Sequence, residues 1–313
     1  MVPSARQLAE YTLEAQHPLT RRWVDDATRL DLLTRQHEQL DILLATDLDI
    51  AATRVAKFAP GLPPETMLNR WVPIGDDLHA LLSMRYEGGD PTKPFVDATG
   101  LSRPLRAGDL PDLAAAAREV FGLHQPRYLR LWSAEPVGWI PGTDPDRRFL
   151  AAPIELLQPR DVPRGLALVQ ARNLAHYGDT ERAYGAVDSE HPSHVEQAAL
   201  QSRVDLEESV EAGLVFDVTV DGTWAGYAAA LAAGQDSLGL PAYVVQDLIL
   251  APEFRGRAYG SHLSTLLAQA LPDPSRILIG TIHADNRGAI QSATRAGRKD
   301  VGGWLQYQFT ELH

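Results

Sequence analysis

The chain has no cysteine among its 313 residues. That excludes disulfides, thiolate metal sites and a cysteine nucleophile, and it removes the usual clue to redox compartment. Long apolar runs are missing too. The opening stretch, MVPSARQLAEYTLEAQH, has no core of signal-peptide length. No run approaches the roughly 20 apolar residues that a membrane-spanning helix needs. Positive charge is scarce: 29 Lys and Arg stand against 41 Asp and Glu, a net charge of −12. This argues against a nucleic-acid-binding surface and suits a cationic substrate such as an amine. No low-complexity segment is present. What remains is a cytoplasmic protein of two ordinary domains, with 44% hydrophobic residues to build their cores.

One stretch organises the rest, Val244 to Ala270. Val244 to Leu250 reads as a buried strand, rich in Val, Ile and Leu. Ala251-Pro252 ends it. The loop Arg255-Gly256-Arg257-Ala258-Tyr259-Gly260-Ser261 then opens into a helix whose Leu263, Leu266, Leu267 and Ala270 share one face. A strand, a loop of small residues and a helix N-terminus suit an anion, because the first amides of a helix have no intrahelical partner. Arg255 and Arg257 add charge suited to phosphate. The Walker loop is excluded, since no Gly-Lys-Ser/Thr follows. The dinucleotide fingerprint is excluded by its spacing. Taken alone, the loop is also compatible with a plain solvated turn.

The downstream pattern narrows this. Arg276 to Ile282 is a second apolar strand, and Asn286-Arg287-Gly288-Ala289 leads a short helix ending at Gly297. The first stretch, Leu250-Ala251-Pro252-Glu253-Phe254 followed by Arg255-x-x-Ala258-x-Gly260, resembles motif A of the GNAT acyltransferase superfamily. Ala258 replaces the usual glycine. The second resembles motif B through Asn286, Ala289 and Gly297. There Ala293 stands where the family carries a tyrosine acid, and Arg298 where it carries Phe.

The resemblance covers about residues 152–313. Along them the chain reads as a strand at Ile154 to Leu157, a helix from Asp161 to Tyr177 and a polar loop from Gly178 to Pro192. A helix from Ser193 to Gly213 follows, then a hairpin across Asp221-Gly222 and a last strand from Trp304 to Thr310. The first 60 residues read as helices. After them come strands His79 to Glu87 and Lys93 to Thr99, a helix Asp112 to Phe121, a strand Arg127 to Trp132 and a loop Gly138 to Asp146. Arg106 against Arg255, Leu113 against Leu263 and Arg127 against Arg276 lie 149, 150 and 149 positions apart. A steady offset near half the chain suggests duplication. In that case the first copy has lost its phosphate loop, since Asp109 and Pro111 stand where the second has Ala258 and Gly260.

The resemblance implies an α/β fold of mixed twisted sheets flanked by helices, two in tandem: a degenerate domain at 1–150 and a catalytic one at 151–313. It implies an N-acetyltransferase that moves acetyl from acetyl-CoA to an amine of a small or amino-acid-like acceptor. Acetyl-CoA would be the co-substrate, with no metal, nucleic acid or membrane involved. The molecule would be a monomer, built as a pseudo-dimer of two domains, or a homodimer. The loop Arg255 to Ser261 would hold the pyrophosphate. Ile249 and Leu250 would pair with the pantetheine arm where the two strands part, and the Leu248 N–H would steady the oxyanion. Asn286 would bond to that arm or hold the loop. Asp247 is the first candidate base, with His283 the second. The acids at 179, 181, 188 and 190 fall in the region that shapes the acceptor site. With Ala293 in place of the tyrosine, the acid would be Tyr307, another group or water. Two alternatives remain open: an acyl-CoA-binding protein without catalysis, and a mycothiol-synthase-like enzyme.

Overall fold

The computed structural model describes residues 2–135, 140–190, 200–232 and 238–309. The chain divides into two compact units, Met1–Asp146 with Gly302–His313, and Arg147–Val301. Each is α/β, a mixed sheet flanked by helices.

The first unit opens with helices, as expected. α1 (Ala5–Glu14) starts on a capping box, with Ser4 and Gln7 satisfying each other's backbone N–H groups. α2 (Asp26–His37) is capped by Asp25, and a wider turn at Glu38–Ile42 leads into α3 (Leu43–Thr46). Asp47 caps α4 (Leu48–Phe58). Then come β1 (Arg70–Ile74), β2 (Leu78–Tyr86), β3 (Pro94–Leu101), α5 (Leu110–Phe121) and β4 (Tyr128–Ser133). β1 has no counterpart in the sequence reading. Its Pro73 argues against a strand, and β1 occupies an edge, where proline is tolerated. β2 runs antiparallel to β1 and β3, while β3 and β4 run parallel, Val96 opposite Leu129 and Ala98 opposite Leu131. Leu82, Met84, Val96, Leu113, Leu129 and Leu131 form the core.

The second unit begins within β5 (Asp144–Pro153), where the sequence reading placed a loop to Asp146. The strand expected at Ile154 to Leu157 is a helical turn, α6 (Ile154–Leu157), and the helix expected from Asp161 contains β6 (Leu166–Gln170). Two packing facts explain the exchange. The β5 ladder ends at Pro153, leaving Ile154 and Leu157 to bury one helical face. Beyond Pro163, residues 166–170 find a full antiparallel partner in β7 (Val215–Val220). The expected polar loop is a helix, α7 (Tyr177–Glu190), whose Ala183 is buried under it; Gly178 and Gly185 hid the pattern. α8 (Arg203–Glu211) starts later than the next expected helix, on a Ser202 cap preceded by non-helical residues 200–201; the proposed start at Ser193 lies outside the described residues.

β7 turns into β8 (Thr223–Ala232) through Asp221 and Gly222, both at positive φ (49° and 79°), as a tight hairpin with right-handed twist requires. β9 (Ala242–Leu250), α9 (Gly260–Ala270), β10 (Ile277–His283) and α10 (Arg287–Arg295) complete the unit, whose sheet runs β5-β10-β9-β8-β7-β6. α9 packs on one face, and α7 and α8 cover the other.

The last strand, β11 (Lys299–Gln308), departs from the expected 1–150 and 151–313 organisation. Residues 303–308 pair antiparallel with β4, and Leu305 is buried in the first unit's core. In the second unit the matching place beside β10 is taken by 147–153 of β5. Each unit's parallel pair is therefore closed by a strand that the other half of the sequence would be expected to keep.

Candidate functional site

The loop after β9 is built on unusual backbone. Gly256 and Ala258 lie at φ 72° and 63°, the left-handed region. Glycine adopts it freely, whereas a residue with a Cβ pays about 1 kcal/mol. Both are exposed, and a Cβ on Gly256 would meet nothing within 4 Å. α9 opens at Gly260 with no side-chain cap, so the Gly260 and Ser261 amides have no partner inside the helix. Gly260 sits close to α10: a Cβ there would stand 3.3 Å from Ser292 Oγ, a tight contact. Ser261 Oγ donates to the Ala258 carbonyl at 2.8 Å, which fixes the turn. Arg257 lies over the Phe254 ring at 5.8 Å.

Arg255 is placed differently from the sequence expectation. Its guanidinium donates to the carbonyls of Leu250 (2.9 Å) and Ala183 (2.8 Å). It ties the loop to the end of β9 and to α7. Asn286 caps α10, accepting from the Ala289 N–H at 3.1 Å, so its oxygen holds the helix start.

β9 and β10 are paired only from Ala242 to Val244 and from Ile277 to Ile279. Both strands continue, to Leu250 and His283, so they part beyond those rungs. On its other side β9 stays paired with β8, with Leu248 opposite Ala228 and Ile249 opposite Tyr227. Val245, Gly280 and Arg298 meet at the fork. A Cβ on Gly280 would fall 2.6 Å from Arg298 Nη2 and 3.0 Å from Val245 Cβ. Arg298 is buried and donates to the Leu150 carbonyl at 2.9 and 2.7 Å. Burial with only carbonyl partners brings its pKa down to about 10. Sequence reasoning noticed Arg298 only as a departure. The signal for it was Gly280, a glycine inside an apolar strand, which marks close approach.

A bulge in β9 sets the opposite face. Ala229 pairs with Asp247 and Ala230 with Val245, which leaves Gln246 as the extra residue. Gln246 accepts from Ser209 Oγ of α8 at 2.7 Å, and Asp247 Oδ1 accepts from Tyr184 Oη of α7 at 2.6 Å. Asp247 is only 1% exposed. Burial raises its pKa to about 6, against the lowering effect of the Tyr184 bond and of the nearby Gln201 main chain. Its Oδ2 is buried without a partner of hydrogen-bonding geometry, as is the Tyr227 hydroxyl, whose pKa burial pushes up to about 12.

The other candidates are dispersed. His283 ends β10 half-buried, its Nδ1 accepting from the Asp285 N–H at 3.2 Å, and its strand neighbour is Arg147. No described contact joins it to Asp247. Asp179 accepts from His176 Nδ1 at 2.9 Å and from Arg182, while Glu181 is exposed. The side chains of Asp188 and Glu190 lie outside the described residues. Ala293 is buried in α10 and brings no acid. Tyr307 packs against the first unit's core. Among the described residues no group of three or more His, Asp or Glu is arranged to hold a metal. No helix there is long and apolar enough to cross a membrane.

Residues 178–297 match the model of the acetyltransferase (GNAT) family. No curated protein matches by sequence. Among solved structures the chain is similar to a GCN5-related N-acetyltransferase from Kribbella flavida, at 15% identity and TM-score 0.45, covering 86% of this chain and 98% of that one. It is similar to a tandem GNAT protein from the clavulanic acid biosynthesis pathway, at 17% identity and TM-score 0.44, covering 86% and 95%. A GCN5-related N-acetyltransferase from Sphaerobacter thermophilus matches at 13% identity and TM-score 0.45, covering 86% and 91%.

Proposed function

With a GNAT-family domain at residues 178–297 as premise, we propose that the chain transfers an acetyl group from acetyl-CoA directly to an amine of a small or amino-acid-like acceptor. One observation supports this above the rest. An uncapped helix start, preceded by left-handed Gly256 and Ala258, stands beside two strands that part after three rungs. The first feature suits pyrophosphate, and the second leaves room for an extended arm along Leu248, Ile249 and Leu250.

In this reading the amides from Gly256 to Ser261 hold the pyrophosphate, and Arg255 secures the loop rather than the phosphate. The Leu248 N–H faces the thioester carbonyl and stabilises its oxyanion. An alkyl ammonium, with a pKa of about 10.4, must lose a proton before attack. Asp247, held near 6, is the base of choice. The amine nitrogen then bonds to the acetyl carbon and gives up its second proton to solvent, the C–S bond breaks, and the thiolate takes its proton from solvent, since Ala293 offers none. Burial of Asp247 and the presence of Ala293 also favour a second reading, acyl-CoA binding without turnover. Calorimetric titration with acetyl-CoA, followed by thiol release with a panel of amines, separates the two. One donor per chain with thiol release is expected. Binding without thiol release leaves the second reading, and no binding removes both.

A further inference from the structure

Asp247 is the candidate base, yet it lies under α7 and is 1% exposed. An acceptor nitrogen has no direct access to its carboxylate. Tyr184, half-buried on α7, already touches it, with its hydroxyl donating to Oδ1 at 2.6 Å. The preceding residue, Ala183, gives its carbonyl to Arg255 Nη2 at 2.8 Å, and Arg255 Nε is bonded to the Leu250 carbonyl. One turn of α7 is thus fastened twice, to the β9 bulge through Tyr184 and to the loop before α9 through Arg255. The other groups around Asp247 are few. Tyr177, at the start of α7, feels its charge; Ala229 stands opposite on β8; Ser209 of α8 is occupied by Gln246. Among the described residues no basic side chain bonds to Asp247.

Resting on the acyltransferase reading, we propose that Tyr184 is the catalytic relay through which Asp247 deprotonates the acceptor. The acceptor's ammonium N–H bond breaks and the proton passes to Tyr184 Oη. Tyr184's own proton passes to Asp247 Oδ1 in the same step. The amine is left neutral and nucleophilic, Tyr184 stays neutral, and Asp247 becomes the protonated acid. After the C–S bond breaks, the proton returns to solvent along the same path. The Arg255 tie makes the relay and the donor loop one piece, so a seated donor and a positioned relay go together.

The test compares wild type, Tyr184→Phe, Asp247→Asn and the double variant in thiol release with acetyl-CoA and an amine panel, with donor affinity measured by calorimetry. Tyr184→Phe is expected to lower kcat about a hundredfold, to leave donor Kd within about twofold, and to displace the acid limb of the pH profile. The double variant falls no further than the worse single one, because both act on one path. A structural tyrosine would instead lower thermal stability, leave kcat at the pH optimum near that of wild type and give additive losses. Wild-type kcat and pH profile in Tyr184→Phe overturn the relay. A wild type that binds acetyl-CoA but releases no thiol with any amine overturns the acyltransferase reading itself, whatever the variants do. A second measurement needs no acceptor: carbon-13 NMR titration of the aspartate carboxyls. Removing the Tyr184 hydroxyl moves the Asp247 midpoint to higher pH, and an unmoved midpoint overturns the proposal.

Discussion

The loop after β9 and the loop after β3 start from the same architecture and end in opposite states. Both follow the edge of a parallel pair, and both lead into a helix that packs on the sheet. Both strands carry a bulge just beyond their parallel rungs: Thr99 is the extra residue of β3, Gln246 that of β9. From the bulge to the helix start the first loop spans 99–110 and the second 246–260, so the second is three residues longer. The long loop holds two left-handed residues and leaves the helix start uncapped. The short loop fills itself. Asp109 accepts from the Arg106 N–H at 2.7 Å and from both terminal nitrogens of Arg103 at 2.8 and 2.9 Å. A carboxylate of the chain's own sits where an anion would bind. The first loop thus meets its helix start with a carboxylate of its own, while the longer second loop carries no acid and leaves its helix start uncapped.

The bulges also align Gly100 with Asp247. A Cβ on Gly100 would stand 3.3 Å from Leu8 Cδ2 of α1, an apolar contact, where the second unit buries a carboxylate against a tyrosine. The offset along these strands is 147 rather than 149. The sequence reading carried one offset of 149 to 150 through strand, loop, helix and second strand, and so passed over the three-residue insertion.

Separating the two units at the sequence-level boundary should have the largest effect. A fragment of residues 151–313 lacks the 147–150 rungs that pair with Gly280 to His283, and it carries 303–308 without β4. It should show no cooperative thermal transition. A sharp calorimetric transition would mean the strand exchange is dispensable. Next, Asp247→Asn removes the feature that Gly100 lacks. The folded pKa of about 6 lies above the ordinary 3.8, so the protonated form is favoured by folding. That contribution is full below about pH 4 and is lost as pH rises through 6. At pH 8 the variant should be more stable by up to about 3 kcal/mol, and near pH 4 about equal, in denaturant melts at both values. A gain independent of pH would refute the buried-charge account.

Transplanting the first loop's acid comes third. Ala258→Asp should weaken acetyl-CoA binding about a hundredfold, some 2.7 kcal/mol, since like charges near 4 Å at a protein surface repel on that scale. Unchanged affinity by calorimetry would place the pyrophosphate elsewhere. The reciprocal change, Asp109→Asn, should destabilise by about 2 kcal/mol through the loss of charge-assisted bonds, without creating a second donor site. A stoichiometry of two would break the comparison outright. The smallest effect is Ala258→Gly, which relieves the left-handed strain. It should stabilise by about 0.5–1 kcal/mol in thermal melts, the unfolded chain's extra freedom offsetting part of the gain.

Much of this was legible because local chemistry names local structure. Asp221-Gly222 announces a hairpin, while the left-handed φ of Ala258 was not read from its place in a glycine position. Other parts depend on partners far away in sequence. Val162-Pro163 and the apolar residues on either side read as well in one order of strand and helix as in the other, and only the β7 ladder decided between them. Tyr184 lay in a stretch whose glycines and acids read as loop, so nothing marked it as the neighbour of Asp247. Residues 304–308 were recognised as a strand, but alternation along a strand does not say which edge it will join.

The destination of that strand bears on how the protein is made. The β4 edge waits for Gly303 to Gln308, which leave the ribosome long after it does. At about 5–20 residues per second, the intervening chain takes roughly ten to thirty seconds to synthesise. For that interval the first-made half carries an unpaired strand edge, the kind of surface to which other chains add. Its closure waits until the second unit has been synthesised, and loss of residues 303–308 injures the half of the molecule that was made first.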